Sequence, residues 1–382
     1  MTGKVMFHSF LFIAPLCLIV IYAWFVVSIY RDWKHVRPFQ RSSIIHPGIK
    51  VSVIIPFRNE EKNIRETLLN VVGFNSSDVE ILAVNDHSTD SSAAIIESLV
   101  SEYPHLKCLS LSNTLGKKAA LQFGVENSSG ELIVTLDADV RVSPDWLQTI
   151  LQFRQQTNAS MIVMPVMFEH EKSLFHRMQT IEFASLMGTT AALVERAVPV
   201  MCNGANLAFT REAYERVKGQ TGHENLSSGD DMFLLHKLKR ENSEQIKYLL
   251  NREVIGWTKP CETVSEFVSQ RARWASKAPA YRDSDAIVVA SLIWLTNASI
   301  VFSFIAALAG KVLPIQLAIL VLVKMSVDYI LIQSVMKWFG KKLSFVLFVI
   351  TALIYPLYST LIPILGFFYR PKWKGRKISI RR

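Results

Sequence analysis

The stretch Leu136-Asp137-Ala138-Asp139-Val140 decides the fold of this chain. It closes an apolar run, Glu131–Leu136, that has the composition of a buried strand. A strand directs Asp137 and Asp139 to the same side, because successive side chains alternate between its two faces. Open α/β sheets bind ligands at the carboxyl ends of their strands, and two carboxylates there suit Mg²⁺ or Mn²⁺. The alternative is an aspartate pair that caps the following turn.

Strands of the same kind precede this stretch and alternate with helical patterns. Val51–Ile55 predicts a central strand ended by Pro56, and Glu80–Val84 predicts a second buried strand. A helical pattern follows each of them, and a third leads into the Asp137 strand. Such alternation produces a mainly parallel sheet. We therefore predict an α/β fold with a Rossmann-like sheet, whose nucleotide-binding half covers residues 50–160.

Residues 161–285 have a less regular pattern and are predicted to form the second half of this domain. Ser160–Phe168 predicts a strand, and Glu171–Arg196 predicts a long helix with few charges. A further helix is expected to begin within Ser228–Asp231. Cys261–Lys277 is amphipathic and precedes an apolar segment, so we expect it to lie in a membrane interface.

Long apolar segments flank this domain. Val5–Tyr30 contains no Lys, Arg, Asp or Glu and exceeds the roughly 20 residues that span a bilayer. Ala286–Gly310 and Leu343–Tyr369 also lack these residues, and Val312–Met336 contains only two of them. These patterns predict an integral membrane protein. The predicted regions are an amino-terminal anchor at 1–36, a membrane region at 286–369 and a basic tail at 370–382.

The charge of the chain is unevenly distributed. The net charge is +10 and the sequence pI is about 9.4, and the tail supplies basic residues with no acid among them. Next to an apolar segment, such a cluster indicates contact with anionic lipid on the cytosolic side and not a nucleic-acid surface. Lys324 and Asp328, four residues apart in one span, are expected to neutralise each other. The 4 cysteines are scattered, which predicts neither a disulfide framework nor a metal site.

Several short motifs occur in one order along the chain. They are Val51-Ser-Val-Ile-Ile-Pro-Phe-Arg-Asn-Glu-Glu61, Asn85-Asp86, Asp137-Ala-Asp139, Gly229-Asp230-Asp231 and Gln270-x-x-Arg273-Trp274. This order resembles the membrane-bound family-2 glycosyltransferases, which include polysaccharide synthases and ceramide glucosyltransferases. The resemblance covers residues 50–275 and the flanking spans. It implies an A-type glycosyltransferase fold with flanking transmembrane and interface helices.

The resemblance implies a role for each motif. Asp86 is expected to hold the nucleotide base, commonly uracil, and Asp139 to bind the metal on the diphosphate. Asp231 matches the general base that takes the acceptor proton, and Arg273 matches a cation that stabilises the leaving diphosphate. The implied nucleotide-sugar-binding residues are Pro56, Glu60, Asp86, Lys117, Asp137 and Asp139. The implied acceptor-binding residues, which would make 161–285 the acceptor half, are Asn203, Asp230, Gln270 and Trp274.

Two motifs depart from the pattern of the family. Gly229-Asp230 stands where many relatives have Thr-Glu, a departure also found among hyaluronan synthases. Asn85 replaces the first residue of a commoner Asp-Asp pair, which leaves one carboxylate for the base and weakens the case for a metal contact there.

Each candidate also has a purely structural explanation. Lys117 is explained equally well as a solvated lysine at a helix start, and Asp230 and Asp231 as helix caps. Arg273 is alternatively a lipid-headgroup contact and Trp274 an interfacial anchor. Asn203 and Asn206 suit a turn as well as an acceptor pocket.

The resemblance implies an inverting transferase that moves a sugar from a UDP-sugar to a hydroxyl of a membrane lipid, with Mg²⁺ or Mn²⁺ as cofactor. A short processive polysaccharide synthase that extends a glycan chain is the alternative. A nucleotidyltransferase also uses an aspartate pair, but needs no base at Asp231. An inactive scaffold requires the loss of a catalytic residue, and Asp86, Asp139, Asp231 and Arg273 are all present. The expected location is the inner cell membrane, with the transferase domain on the cytosolic face and no nucleic-acid partner.

The basic residues conflict with a simple topology. Arg31, Lys34, Arg37 and Arg41 follow the first span, which predicts that this end faces the cytosol. Three further straight crossings would leave the basic tail outside. Because Leu343–Tyr369 contains two helix-breaking prolines, we expect this segment to be re-entrant or bent.

Overall fold

The structure, a computed structural model, describes residues 2–42, 48–74, 78–218, 230–368, 372–373 and 376–377. Gly229 of the Gly-Asp-Asp motif lies outside these residues, and so does most of the predicted basic tail. The side chain of Asp230 is likewise outside the described part, although its backbone begins a helix.

The chain divides into two compact units, each built from separate stretches of sequence. The helical unit comprises Met1–His35, Glu171–Ala192 and Pro260–Pro371. The sheet unit comprises Val36–His170, Leu193–Lys259 and Lys372–Arg382. The predicted region 161–285 is therefore divided between the two units.

The sheet unit is built on a mixed but mainly parallel sheet. Its strands are β1 (Val51–Phe57), β2 (Val79–Asn85), β3 (Leu106–Ser110), β4 (Leu132–Leu136), β5 (Met161–Val163), β6 (Val166–Phe168), β7 (Asn206–Thr210), β8 (Ile246–Tyr248), β9 (Gly256–Thr258) and the short antiparallel pair β10 (Lys372–Trp373) and β11 (Arg376–Lys377). The described residues form a seven-stranded sheet in the order β3-β2-β1-β4-β7-β5-β8. Only β7 runs against its neighbours β4 and β5, and β6 pairs with β9 in a small separate sheet. The predicted mainly parallel α/β fold is confirmed.

Helices connect the parallel strands of this unit. They are α2 (Ile64–Val72), α3 (Ser92–Val100), α4 (Lys117–Glu126), α5 (Trp146–Thr157), α7 (Arg211–Lys218) and α8 (Asp230–Asn242). Their apolar faces and both faces of β1 and β4 are buried, which explains why these strands are almost continuously apolar in sequence.

Three strand predictions differ from the structure. β1 continues to Phe57 through its pairing with β2. Its pairing with β4 stops at Ile54, so Pro56, which has no N–H, is not required as a hydrogen-bond donor to β4. Ser160–Phe168 is two strands, β5 and β6, which separate at Met164 and Pro165 and pair in different sheets. The edge strand β3 was not predicted, since its half-exposed sequence lacks the apolar run of its neighbours.

The helical unit contains the long apolar helices and two further helices. They are α1 (Thr2–His35), α6 (Leu174–Glu195), α9 (Val264–Ala275), α10 (Ser284–Leu308), α11 (Pro314–Trp338) and α12 (Phe345–Phe368). Within the described residues, α1, α10, α11 and α12 are long and apolar enough to cross a membrane. This agrees with the predicted one span before the domain and about three after it.

The helical unit contains a charge pair in α11 and two prolines in α12, for both of which the sequence makes a prediction. Lys324 Nζ lies 2.6 Å from Oδ2 of Asp328, so the predicted neutralisation is confirmed. Pro356 and Pro363 lie inside α12, which continues from Phe345 to Phe368, so neither proline ends the helix. The expected bent or re-entrant path of this segment stays a prediction at this point. Trp294 Nε1 of α10 donates to the carbonyl oxygen of Thr360 in α12 at 3.3 Å, which joins these two helices.

Candidate active site

The carboxyl ends of β1, β2 and β4 carry the predicted acidic residues to one edge of the sheet. Phe57 and Asn85 are directly paired in register, and the backbone N–H of Asp86 donates to the carbonyl of Phe57 at 2.9 Å. Asp137 follows the last residue of β4, which is the other neighbour of β1. This is the edge at which open α/β sheets bind ligands.

The aspartate pair after β4 has the orientation that its spacing predicts. Asp137 and Asp139 are partly exposed, whereas Ala138 between them is buried. Lys117, at the start of α4, forms an ion pair with Asp137. The hydroxyl of Thr258 in β9 lies 3.5 Å from Oδ2 of Asp139. Lys117 therefore lies at this edge of the sheet, in contact with a predicted site residue.

The donor set at this edge fits a hard divalent cation. Asp137 and Asp139 offer carboxylate oxygens that remain partly exposed, and Thr258 offers a hydroxyl nearby. No group of three or more His, Cys, Asp or Glu side chains capable of holding a metal occurs in the described part of the chain. Mg²⁺ and similar ions bind through one or two carboxylates and complete their shell with water and phosphates. The residues therefore fit an ion that arrives with a diphosphate.

Asp86 lies in a rigid turn after β2. Its side chain is 1% exposed, and Oδ1 is 3.3 Å from Nδ1 of His87. His87 has a left-handed backbone (φ 55°), so it acts as the turn residue. Arg58 Nη1 donates to the carbonyl oxygen of Asp86 at 2.7 Å, and the Asn85 side chain accepts from the N–H of Ser88 at 2.8 Å. These two hydrogen bonds hold the turn on both sides of Asp86, and so fix the position of the Asp86 carboxylate.

Pro56 and Glu60, the remaining predicted donor-site residues of this half, are part of the same framework. Pro56 is buried within β1. Glu60 is 8% exposed, its N–H donates to Ser92 Oγ at 2.8 Å, and its Oε2 accepts from Asn63 Nδ2 at 3.0 Å. The contacts of Glu60 therefore hold the loop between β1 and α2 in place.

Asp231 is joined to the strand end of β4 through one short loop. Its Oδ2 accepts a hydrogen bond of 2.9 Å from the backbone N–H of Gly204. The next residue, Ala205, accepts a 3.2 Å bond at its carbonyl from the N–H of Asp137. Oδ1 of Asp231 also accepts from the N–H of Met232 in the first turn of α8. Asp231 therefore satisfies a helix terminus and is positioned beside the aspartate pair at the same time.

Asn203 and Asn206, in and at the end of the loop before β7, have different structural roles. Oδ1 of Asn203 accepts from the N–H of Ala205 at 3.0 Å, which stabilises the turn. Asn206 is fully buried, donates to the carbonyls of Pro165 and Val254 and accepts from Trp146 Nε1. Because its amide groups are occupied within the protein, Asn206 does not line a pocket for an acceptor.

Cys202 is a neighbour of this loop that the sequence does not single out. Burial and the nearby charge of Asp231 raise the pKa of its thiol well above the ordinary value. The thiol therefore stays protonated at neutral pH in this structure.

The Gln-x-x-Arg-Trp motif lies on α9 in the helical unit. A capping box begins this helix: the N–H of Glu266 donates to Thr263 Oγ1 at 3.2 Å, and the N–H of Thr263 donates to Glu266 Oε2 at 3.3 Å. Gln270, Arg273 and Trp274 are all partly exposed.

Arg271, between Gln270 and Arg273, anchors α9 and was missed by sequence reasoning. It is 4% exposed, and its Nη2 lies 2.7 Å from Oε2 of Glu182, itself 9% exposed, in α6. The guanidinium also stacks between the rings of Phe267 and Trp274, with its carbon 4.6 Å and 4.2 Å from the ring centroids. Glu182 raises the pKa of Arg271 against the opposing effect of burial. The sequence signal for this pair is Glu182, a single acidic residue in an apolar stretch of α6, because a buried acid needs a basic partner.

The same carboxylate reaches a third helix. Tyr358 OH in α12 donates to Oε1 of Glu182 at 3.0 Å, and its ring stacks on Phe267 with centroids 5.3 Å apart. Glu182 thus joins α6, α9 and α12. It also fixes Arg271, whose guanidinium packs against the ring of Trp274.

Comparison with known proteins agrees with this arrangement. Residues 52–218 match the sequence profile of glycosyl transferase family 2, and they include the strand ends that carry Asp86, Asp137 and Asp139. The chain carries a family-2 glycosyltransferase domain. Two poly-β-1,6-N-acetyl-D-glucosamine synthases of Staphylococcus epidermidis are 27% and 26% identical to it over 274 residues. Each alignment covers 70% of this chain, which spans only 65% of the length of those relatives.

A solved structure supports the assignment of the fold. The family-2 domain and its flanking helices resemble the mannosyltransferase PcManGT from Pyrobaculum calidifontis, solved in complex with GDP-Man and Mn²⁺. The TM-score is 0.60 at 18% identity, and the match covers 93% of this chain and 99% of that one. The predicted A-type glycosyltransferase fold with flanking apolar helices is confirmed.

Proposed function

We propose that the chain is an inverting glycosyltransferase that moves a sugar from a UDP-sugar onto a hydroxyl of a membrane lipid. The observation that carries this proposal is the position of Asp231, whose carboxylate is tied through Gly204 and Ala205 to the strand end that bears Asp137 and Asp139. A carboxylate fixed beside a diphosphate-binding edge is what base-catalysed displacement requires. The family-2 profile and the A-type fold support the reaction class.

The donor half of the proposal rests on the acids and cation of the sheet edge. Asp86, buried in a turn that is held from both flanks, is proposed to bind the uracil. Asp139, with Asp137, is proposed to hold a divalent cation that neutralises charge on the diphosphate when bound. Lys117 pairs with Asp137 in this structure and is proposed to exchange to the diphosphate when the donor binds. Mn²⁺ accompanies a nucleotide-sugar in the mannosyltransferase named above, which supports a metal-dependent donor site.

In the proposed reaction, the acceptor hydroxyl gives its proton to Asp231 as its oxygen forms a bond to the anomeric carbon. The bond from that carbon to the β-phosphate oxygen breaks at the same time, and UDP leaves with the bonding electrons. The configuration at the carbon inverts, because the base and the leaving group act on opposite sides. Arg273 is proposed to stabilise the charge that develops on UDP through a bidentate contact. Asn203, Asp230, Gln270 and Trp274 are proposed to contact the acceptor.

A lipid acceptor is preferred because the helical unit offers apolar helices on which a lipid can lie. α10, α11 and α12 carry many exposed large apolar side chains, as expected for surfaces that face acyl chains. The first span is followed by Arg31, Lys34, Arg37 and Arg41, so the sheet unit, whose chain begins at Val36, is proposed to lie on the cytosolic face.

A processive polysaccharide synthase is the second candidate, and the named relatives favour it. Both synthases from Staphylococcus epidermidis are named for a polymer of N-acetylglucosamine. This candidate shares the donor site and the base with the first, and the two differ only in the acceptor.

The deciding experiment measures nucleotide release and product size together. Purified protein in lipid nanodiscs is incubated with Mn²⁺ and a panel of radiolabelled UDP-sugars, with GDP-mannose as the comparison donor. We expect UDP release with one donor and a labelled product that extracts into organic solvent with lipid. A long water-soluble polymer would establish the second candidate, and release from GDP-mannose alone would overturn the assignment of Asp86 to uracil.

A further inference from the structure

We propose that α12 does not cross the membrane: it enters, bends near Tyr355 and Pro356, and returns to the side from which it came. Its length and composition alone allow a crossing. The contacts of its two halves with the other helices of the same unit exclude a straight path.

α1 and α11 run parallel and define the two sides of the bundle. Tyr22 OH donates to Oδ1 of Asp328 at 2.7 Å, and further along both helices Trp33 Nε1 donates to Ser334 Oγ at 3.1 Å. Trp33 also packs on Trp338, the last residue of α11. The carboxyl ends of α1 and α11 therefore lie on one side, called here the near side.

α10 runs in the opposite direction and begins on the near side. Its residue Ile300 forms one buried cluster with Ile19 of α1 and Leu320 of α11. Helical rise places Ile19 and Leu320 about 24–27 Å from the near ends of their helices. Ile300 lies about 24 Å from the start of α10 but only about 12 Å from its end. The three depths agree only if the start of α10 is on the near side.

α6 and α9 lie across the near side. Lys341, just after α11, forms an ion pair with Glu171, just before α6. Farther along α6, Gly188 meets Val335 so closely that no Cβ fits between them. Both parts of α6 therefore contact the same end of α11. α9 runs along α6, through Phe267 against Phe175 and Arg271 against Glu182.

The first half of α12 leads away from the near side along α11. Phe345 and Phe348 both pack on Tyr329, with ring centroids 5.7 Å and 5.1 Å apart. Further along α12, the Tyr355 ring lies 5.2 Å from Nζ of Lys324. Helical rise puts Lys324 about 21 Å from the near end of α11, deeper than Tyr329. A straight helix would carry Gly366 roughly 32 Å beyond Phe345, towards the far side.

The second half of α12 instead lies along α9, back at the near side. Tyr358 stacks on Phe267 and bonds to Glu182, as described above. Closer to the end of α12, a Cβ at Gly366 would lie 2.9 Å from the carbonyl oxygen of Ala272 and 3.2 Å from the Cβ of Ala275. The glycine thus lets the end of α12 approach the backbone of α9.

The bend falls where proline permits it. Pro356 follows Tyr355 directly and removes one helical hydrogen bond, and kinks in helices occur at such positions. The rings of Tyr355 and Tyr22 both contact Nζ of Lys324. Lys324 and Asp328 form an ion pair at the bend, so each of these intramembrane charges is neutralised by the other. The cluster of Tyr22, Lys324, Asp328 and Tyr355 thereby joins α1, α11 and α12.

Three crossings bring both basic clusters to one side. Arg31 and Lys34 lie at the near end of α1, and the chain after α12 contains Arg370, Lys372, Lys374, Arg376, Lys377, Arg381 and Arg382. A returning α12 places both clusters on the cytosolic side, as the positive-inside rule requires, whereas a straight one separates them.

Thiol labelling of the full-length protein tests this topology. In a cysteine-free background, Ser379→Cys is compared with Lys311→Cys, in the connection between α10 and α11, and with Lys62→Cys, which follows α1 with no apolar helix between. Intact cells are treated with a membrane-impermeant maleimide before and after permeabilisation. We expect Ser379→Cys to behave as Lys62→Cys and to be labelled only after permeabilisation. Labelling in intact cells, as expected for Lys311→Cys, would overturn the proposal.

A second measurement avoids dependence on one thiol. Green fluorescent protein fused after Arg382 folds into its fluorescent form only on the cytosolic side. We expect membrane-inserted, full-length fusion protein to fluoresce. Full-length fusion in the membrane fraction without fluorescence would mean that α12 crosses.

Discussion

The backbone N–H of Gly204 donates a 2.9 Å hydrogen bond to Oδ2 of Asp231. An Asn-Gly turn and the first turn of α8 are thereby joined, and the carboxylate cannot rotate without losing that bond. Its orientation is therefore set by the backbone of the turn as well as by its own helix.

Asp231→Asn should remove turnover and leave donor binding intact, because only the proton acceptor is lost. We expect kcat to fall by at least about 10²-fold, with UDP affinity unchanged by calorimetry in Mn²⁺. Asp139→Asn is the contrasting variant, and it should weaken UDP binding in Mn²⁺ but not in chelator. Near wild-type turnover by Asp231→Asn at saturating donor would show that another group is the base.

Gly204→Ala should lower kcat through the position of the carboxylate. A Cβ at this position would lie 3.0 Å from the Cβ and 3.1 Å from Oδ2 of Asp231, so the aspartate must shift by a few tenths of an ångström. Misplacement of about 1 Å costs on the order of 10²-fold, so we expect a loss of about 10-fold. Gly73→Ala is the matched control, since a Cβ there meets nothing within 4 Å. Equal effects of the two substitutions on kcat would contradict the positioning role.

Arg273→Lys should slow transfer although it keeps the charge. Lysine cannot form the planar bidentate contact with a diphosphate, and loss of one such stabilising contact costs roughly 10²-fold in rate. Arg177→Lys, an exposed arginine of α6, serves as the control. If both variants had wild-type kcat and KM, Arg273 would be a lipid-headgroup contact only.

Glu182→Leu should destabilise the helical unit far more than the matching double substitution. Removal of the carboxylate leaves Arg271 buried and without its ion-pair partner, at a cost of about 3–5 kcal/mol. Glu182→Leu with Arg271→Met replaces the pair by apolar groups, and most of the loss should be recovered. Thermal unfolding in detergent measures both, with Tm read from a signal of the helical unit. A double variant less stable than the single one would show that the charges are required for the fold.

Glu80→Gln should destabilise the sheet unit at neutral pH and lose this effect in acid. Burial opposes ionisation of Glu80, but hydrogen bonds from Ser129, Ser52 and Lys107 outweigh it and lower its pKa to about 2. The stabilisation is complete above the ordinary pKa of 4.5 and disappears as the pH falls towards 2. We expect a loss of about 1–2 kcal/mol at pH 7, less than the full shift because Lys107 is solvated.

The pH dependence of that difference is the measurement. Tm of the wild type and of Glu80→Gln should converge between pH 5 and about 2, whereas exposed Glu102→Gln should match the wild type throughout. A difference that stays constant with pH would place the stabilisation elsewhere.

Sequence reasoning succeeded where one local signal dominates. The apolar runs before Pro56, Asn85 and Asp137 give the buried strands, because parallel strands covered on both faces are almost continuously apolar. The four long apolar helices are equally evident, since no soluble element needs such length without charge.

Sequence reasoning failed where the environment of a residue comes from distant parts of the chain. Arg271 reads as one more basic residue of an interface helix, and only the Glu182 carboxylate, 89 residues away, makes it a buried anchor. Asn206 looks like Asn203 in sequence, but contacts from Trp146, Pro165 and Val254 occupy its amide. The edge strand β3 carries too little burial to leave a pattern.

The interleaving of the two units in sequence has a consequence for biosynthesis. The chain leaves the helical unit after His35, returns to it at Glu171 and again at Pro260, and ends in the sheet unit. During translation, Glu182 emerges from the ribosome 89 residues before Arg271. Its carboxylate therefore has no ion-pair partner in α9, and must stay solvated or bound to a chaperone, until α9 has been synthesised. A soluble truncation that keeps only residues 36–259 discards the Gln-x-x-Arg-Trp helix and exposes α6. We therefore expect such fragments to aggregate, and the full membrane protein to be the smallest productive unit for study.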